Sequence, residues 1–278
     1  MKTFALISAA SLLALTNMAF VSTAHAATQV ELKNMAAKVV VKPENRTDVE
    51  LKVVYGKVKV PTIMVHTKGN SFIADGKLKM RGLDCRDGQA VQADGLGQIA
   101  NADLPTVYIK VPMNAKVSAG GATYGTIGAS TRLEFNHGGC GVWTVANTGD
   151  AEVNIGGAGD VTMGNAGNAQ VNIGGSGNFK AASIKALEAN IGGNGDIVID
   201  RVDGNSDINI GGSGNVAITD GVSPRLEVNI AGSGDVRFGG TAGDVDINIV
   251  GSGDVRIKKA TGKVSRSVMG SGNIEIGQ

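Results

Sequence analysis

Aromatic side chains are scarce in this sequence: six Phe, three Tyr and one Trp, 4% of 278 residues. That scarcity argues against a transmembrane barrel, whose strands need about 9–11 alternating residues and aromatic girdles at both interfaces. Net charge is missing too. There are 26 Lys and Arg against 25 Asp and Glu, with no basic cluster, so nucleic acid is not an expected partner. Histidines number three and cysteines two, Cys85 and Cys140. His137-Gly-Gly-Cys140 sets two possible ligands three apart, but no second pair completes a tetrahedral metal site. No Gly-x-Ser-x-Gly elbow, phosphate loop or complete Gly-x-Gly-x-x-Gly occurs. Neither a metal nor another cofactor is expected.

Glycine is plentiful, 42 residues, and it keeps time. The phrase Val-Asn-Ile-Gly-Gly-x-Gly-Asp/Asn-Val returns along the chain, and its second glycine falls at Gly157, Gly175, Gly193, Gly212, Gly232, Gly251 and Gly270. The steps are 18, 18, 19, 20, 19 and 19 residues. Stepping back by 18 reaches Gly139 and then Gly121. A short fixed period means one supersecondary unit stacked many times.

Each unit holds two apolar-polar alternations, such as Leu226/Val228/Ile230 before the glycines and Val236/Phe238 after them. Period-two alternation over three to five residues predicts a strand buried on one face. Gly-Gly-x-Gly between the strands predicts a hard turn that uses positive φ. A propeller blade needs roughly 40–45 residues, over twice this period. The expected fold is all-β: a single-stranded parallel β-helix, or β-solenoid, with coils of 18–20 residues. At about 4.8 Å per stacked strand, nine coils make a rod about 43 Å long.

Two polar columns follow from that stacking. Asn154, Asn172, Asn190, Asn209, Asn229 and Asn248 fall between the inward Val and Ile positions, where stacked amides hydrogen-bond along a ladder. Beside them Glu152, Gln170, Glu188, Asp207, Glu227 and Asp246 form a mostly acidic column. After each Gly-x-Gly comes Asp160, Asn178, Asp196, Asn215, Asp235, Asp254 or Asn273, an interleaving that relieves like-charge repulsion.

Residues 1–26 read as a secretory signal peptide, with Lys2 as the basic start, a mostly apolar Phe4–Val21 and the small-x-small site Ala24-His25-Ala26. Nothing later resembles a membrane span, so no transmembrane anchor is expected. Residues 27–111 lack the glycine clock but keep alternation and are expected to form irregular first coils that cap the rod. Within them Arg81–Asp103 is polar and turn-rich, which predicts a loop. Residues 112–278 are the regular solenoid, continuous with the cap. An oxidising compartment favours a disulfide between Cys85 and Cys140; a buried Cys140 beside the glycine turn is the alternative. At the far end, Lys258, Lys259, Lys263 and Arg266 crowd the last strands, which predicts a monomer or a weak end-to-end dimer.

A calcium-binding roll is a false lead. Such rolls repeat Gly-Gly-x-Gly-x-Asp twice per coil. Here Gly157-Ala-Gly159-Asp160-Val161 has its acid one place early, and the second half of each coil carries no matching motif.

The Ile-Gly-Gly-Ser-Gly-Asn and Ile-x-Gly-Ser-Gly-Asp phrases, behind a signal peptide, resemble the GIN-domain family, bacterial exported proteins labelled as autotransporter adhesin heads. The likeness covers roughly Val107–Ile276, more weakly back to Gln29. It implies a right-handed parallel β-helix, export to the periplasm or cell surface, and no catalytic residues to carry over. The expected function is a non-catalytic envelope or surface binding module, with polysaccharide or the cell envelope as partner and the asparagine ladder as candidate site. The alternative is a polysaccharide-active enzyme, lyase or hydrolase, on the same scaffold. Acids, Arg or Lys clustered in one groove favour the enzyme; a flat regular ladder favours binding.

Overall fold

The computed structural model describes residues 19–24, 28–79, 81–86, 90–93 and 95–277. The expected leader therefore lies outside the described residues except at 19–24. In chain order the first strands are β1 (Ala19–Ala24), β2 (Gln29–Glu44), β3 (Val49–Val54), β4 (Met64–Lys68) and β5 (Ser71–Asp75). Three short strands follow, β6 (Asp84–Arg86), β7 (Ala90–Ala93) and β8 (Gly97–Ala100), and then β9 (Thr106–Pro112). The periodic region holds β10 (Asn114–Ile127), β11 (Ser130–His137), β12 (Val142–Val145), β13 (Thr148–Ile155), β14 (Asp160–Ile173), β15 (Phe179–Ile191) and β16 (Ile197–Asp203). It continues through β17 (Ser206–Ile210), β18 (Val216–Ile230), β19 (Val236–Gly251), β20 (Val255–Ala260), β21 (Val264–Gly270) and β22 (Ile274–Ile276).

The periodic strands stack in parallel and in register, as a β-solenoid of about nine turns. Val117 pairs with Phe135, Phe135 with Val153, Val153 with Val171, and the column runs on through Ala189, Ile208 and Val228 to Ile247. The long strands β14, β15, β18 and β19 each bend around a corner of the coil and supply both of its alternations.

At the N-terminal end the chain does not wind in sequence order. One edge of β2 pairs with β5 and β9, and the other pairs with β10. The chain thus enters one rung inside the rod, goes down to build the end, then returns past β2 to begin the regular coils. Beyond these lie β3 and β4, antiparallel to β9 and β5. β1 pairs antiparallel with the far edge of β3.

The expected loop at Arg81–Asp103 is corrected. β6, β7 and β8 form a separate three-stranded antiparallel sheet within it. Its Val91, Ala93 and Ile99 pack with Ala36, Leu78, Leu104 and Ala122 in a second small core. Cys85 and Cys140 are disulfide-bonded and tie this sheet to the first regular coils.

Inward side chains fill the solenoid from end to end as one core. At one rung a large residue sits against a small one, as close packing requires. Trp143 occupies the space beside Gly125, where a Cβ would enter its ring, and its indole N–H donates to Thr123 Oγ1 at 3.2 Å. His137 is fully buried near Phe135 and Trp143, with ring centroids 5.9 and 6.2 Å away. Its Nδ1 lies 3.3 Å from the Ala119 carbonyl.

The glycine turn works differently from the expectation. Of the second glycines only Gly121, Gly251 and Gly270 have positive φ, at 95°, 140° and 137°. Stacking is the common constraint instead. A Cβ at Gly175 would run into the Gly157 carbonyl oxygen, one at Gly193 into that of Gly175, and one at Gly212 into that of Gly193. The first glycine of each pair faces open space at Gly138, Gly156, Gly174 and Gly192, and the chain itself places Ala231, Val250 and Met269 later in that column. Gly193→Ala should therefore lower stability by about 1–3 kcal/mol, whereas Gly192→Ala should be close to neutral. Paired urea titrations of the two variants check this; equal losses would refute the stacking account.

Burial holds the His137 imidazole below its usual pKa, against weaker opposing hydrogen bonds to Ala119 and Gly141 and the charge of Asp160. The unfolded chain then binds the proton more readily, so stability should fall as pH drops below about 6.5 toward the lower native value. Thermal melts from pH 7.5 to 5 should show a slope that His137→Leu reduces.

Candidate functional site

The side chains between the inward positions of the first strand column form one amide ladder. Each Asn Nδ2 donates to the Oδ1 one rung nearer the N-terminal end: Asn154 to Asn136 at 2.8 Å, Asn172 to Asn154 at 2.7 Å and Asn190 to Asn172 at 2.9 Å. Asn209, Asn229 and Asn248 continue it at 3.1, 3.0 and 3.1 Å. Asn136 starts the ladder and donates to Ser118 Oγ. That residue was overlooked because Glu134-Phe-Asn-His137 lacks the Val-Asn-Ile spelling, although it lies 18 residues before Asn154. The second amide proton is used as well. Asn154, Asn190, Asn209 and Asn229 also donate to Glu152, Glu188, Asp207 and Glu227, two residues back.

The turn column is built on another rule. The backbone N–H of Asn178, Asp196, Asn215, Asp235, Asp254 and Asn273 each donates to the side-chain Oδ1 of the corresponding residue one rung below, at 2.8–3.0 Å. Only an acceptor is required there, so Asp and Asn interchange. The amide ladder needs a donor and an acceptor at every rung, and it is Asn throughout.

A groove of about 620 Å³ runs along the rod beside the acidic column. One wall is Glu152, Gln170, Glu188, Asp207 and Glu227; the other is Arg132, Asp150, Asn168, Ala186, Asn205 and Arg225. Small inward residues at the corner, Ala151, Ala169 and Ser206, make it concave. Asn168 Nδ2 donates to Asp150 at 3.0 Å, Gln170 Nε2 to Glu188 at 3.1 Å, and Arg225 is paired with Glu227 at 2.9 Å. Across the asparagine ridge lies a shallower apolar strip of about 510 Å³, formed by Ile191, Gly192, Ile210, Gly211, Ile230, Ala231 and Val250 with the ladder itself. The second wall of the groove carries no repeating motif, which is why sequence reading did not single it out.

The ladder thus stands as a ridge between a polar groove and an apolar strip, all three running along the rod axis. Among the described residues no group of three His, Cys, Asp or Glu side chains could hold a metal ion, and no helix is long and apolar enough to cross a membrane.

Such geometry defines a glycine-turn β-solenoid with a continuous side face. Residues 65–240 and 188–278 match the family described as "putative auto-transporter adhesin, head GIN domain", and the chain belongs to that family. Among solved structures it is similar to a "putative adhesin" from Parabacteroides distasonis, at 17% identity and TM-score 0.51 over 94% of this chain and 98% of that one. A "putative adhesin" from Parabacteroides merdae gives 14% identity and TM-score 0.49 over 95% and 98%. No curated protein sequence matches the chain significantly. The likeness to the Parabacteroides distasonis structure supports the fold, and family membership together with the disulfide fits an exported protein.

Asn209→Asp removes a donor from the ladder and should lower stability by about 1–3 kcal/mol. Asp196→Asn keeps the turn acceptor and should leave the melting temperature unchanged. Differential scanning calorimetry of both variants tests the two-column rule.

Proposed function

We propose that this protein is an exported, non-catalytic binding module of the bacterial cell envelope or surface, and that its ligand is an extended polysaccharide lying along the rod. The observation that carries this reading is the unbroken parallel run of groove, amide ridge and apolar strip over successive coils. A polymer with polar edges and apolar ring faces finds both chemistries side by side, whereas a compact metabolite would leave most of the surface unused. The ladder amides donate within the ladder, so its share in recognition rests on the remaining carbonyl lone pairs and on its flatness. Hydrogen-bonding capacity toward the ligand is concentrated in the groove, at Glu152, Glu188 and Asp207.

A catalytic reading has two observations in its favour, and the first is that acids and two arginines line one groove. Glu188 and Asp207 pair on consecutive rungs, and rungs about 4.8 Å apart approach the carboxylate separation of about 5–5.5 Å used by retaining glycosidases. Arg225, on the rung next to Asp207, is held by Glu227 at 2.9 Å.

A glycan array with chromatographic product analysis separates the two readings. The expected outcome is retention of an extended glycan without cleavage. Glu188→Gln/Asp207→Asn should weaken retention about tenfold or more, roughly 1.4 kcal/mol, while leaving the fold intact. Asn190→Thr/Asn209→Thr/Asn229→Thr tests the ridge: unchanged retention by a folded triple variant would assign binding to the groove alone. Shortened products from the wild-type chain would establish the enzyme instead.

A further inference from the structure

The N-terminal end of the rod holds a contradiction that points to a second binding surface. β3 pairs with β9 on one edge and with β1 on the other. β1 is Ala19–Ala24, inside the segment whose Ala24-His25-Ala26 reads as a cleavage site. Export with cleavage would therefore remove the strand that covers β3. Backbone N–H and C=O groups along Val49–Val54 would lose their partners, and an exposed edge of this kind is a template for strand addition.

The two outermost strands are not equally protected. β4 is mostly exposed and polar, with His66, Thr67 and Lys68 along it. β3 reads Val-Glu-Leu-Lys-Val-Val and buries Val49, Leu51 and Val53 on the core side. Antiparallel residues directly opposite one another share a face of the sheet. Two copies of β3 meeting about a twofold axis at Leu51 would place Leu51 against Leu51 and Val49 against Val53. On the outer face each Glu50 would stand opposite a Lys52. The segment is self-complementary, as a twofold interface requires.

We infer that, once residues 1–26 are removed, β3 pairs antiparallel with β3 of a second copy and joins two rods end to end through their N-terminal ends. This rests on the export reading. The interface is a strand addition, in which main-chain hydrogen bonds supply the affinity. The Glu50–Lys52 pairs set the register more than the strength, because exposed ion pairs contribute little. Glu50 already accepts from Lys110 at 3.0 Å and lies near Arg46, an arrangement that keeps its carboxyl below the ordinary range and therefore charged at neutral pH.

The test uses the full chain expressed with export, alongside a processing-blocked Ala26→Tyr chain, with each N-terminus read by mass spectrometry. Analytical ultracentrifugation should show the processed protein as a dimer and the blocked protein as a monomer. Lys52→Glu should weaken the processed dimer about tenfold or more, and Glu50→Lys/Lys52→Glu should restore it, because the swap re-forms the opposite pairs. Circular dichroism establishes that each variant is folded. A processed monomer, or a dimer indifferent to Lys52→Glu, overturns the inference while leaving the export reading intact. An exported protein that keeps residues 1–26 overturns both.

Discussion

Backbone hydrogen bonding between successive coils sets one distance, and every other contact in the molecule is made at it. At about 4.8 Å a glycine carbonyl lies directly beneath the next glycine, leaving no room for a Cβ. The same spacing puts one side-chain amide within reach of the next, and a turn carboxylate within reach of the backbone N–H above it. Ladder, turn column and glycine column are three answers to a single imposed repeat. Inward side chains answer it with apolar residues of similar size in most columns, and where Trp143 enters, Gly125 makes room for it.

How much of this was legible follows from what repeats. The clock, the inward columns and six of the seven ladder asparagines stand in the sequence because each coil restates them. The reason for the glycines did not, since a conformational need and a steric one leave the same letter; Gly192 and Gly193 differ only in what lies beneath them. The N-terminal winding was hidden for another reason. Residues 29–44 alternate like any strand, and nothing in one strand says whether the next rung comes earlier or later in the chain. The small sheet at residues 84–100 was masked by its turn-rich composition. Of the candidate site, the ridge and one wall of the groove were readable, while Arg132, Asp150, Asn168 and Arg225 follow no repeat and needed coordinates.

The two ends of the rod handle the stacked edge differently. At the N-terminal end the chain reverses strand direction, so β3 and β4 meet β9 and β5 antiparallel. In the last described coil Arg266 occupies the place that Ile247 holds one rung below, an inward position given to a charge. Inward-pointing charge is a known device against indiscriminate edge pairing. On the other side of the same coil Ile274 and Ile276 still pack against the apolar core.

The asymmetry between the two polar columns has a consequence for the protein's lifetime. Hydrolysis of an asparagine amide to the acid is a slow, spontaneous form of chemical ageing. In the turn column such damage keeps an acceptor for the backbone N–H above, although it ends the amide donations of Asn178 and Asn215 and sets like charges on adjacent rungs. In the ladder it leaves a group that receives but cannot give, and the chain of bonds is severed at that rung. Damage at Asn136 would spare the bonds of the rungs above it, whereas damage at Asn190 would split the ladder in two. The rod therefore carries one column whose bonds to the backbone outlast such a lesion and one whose bonds do not.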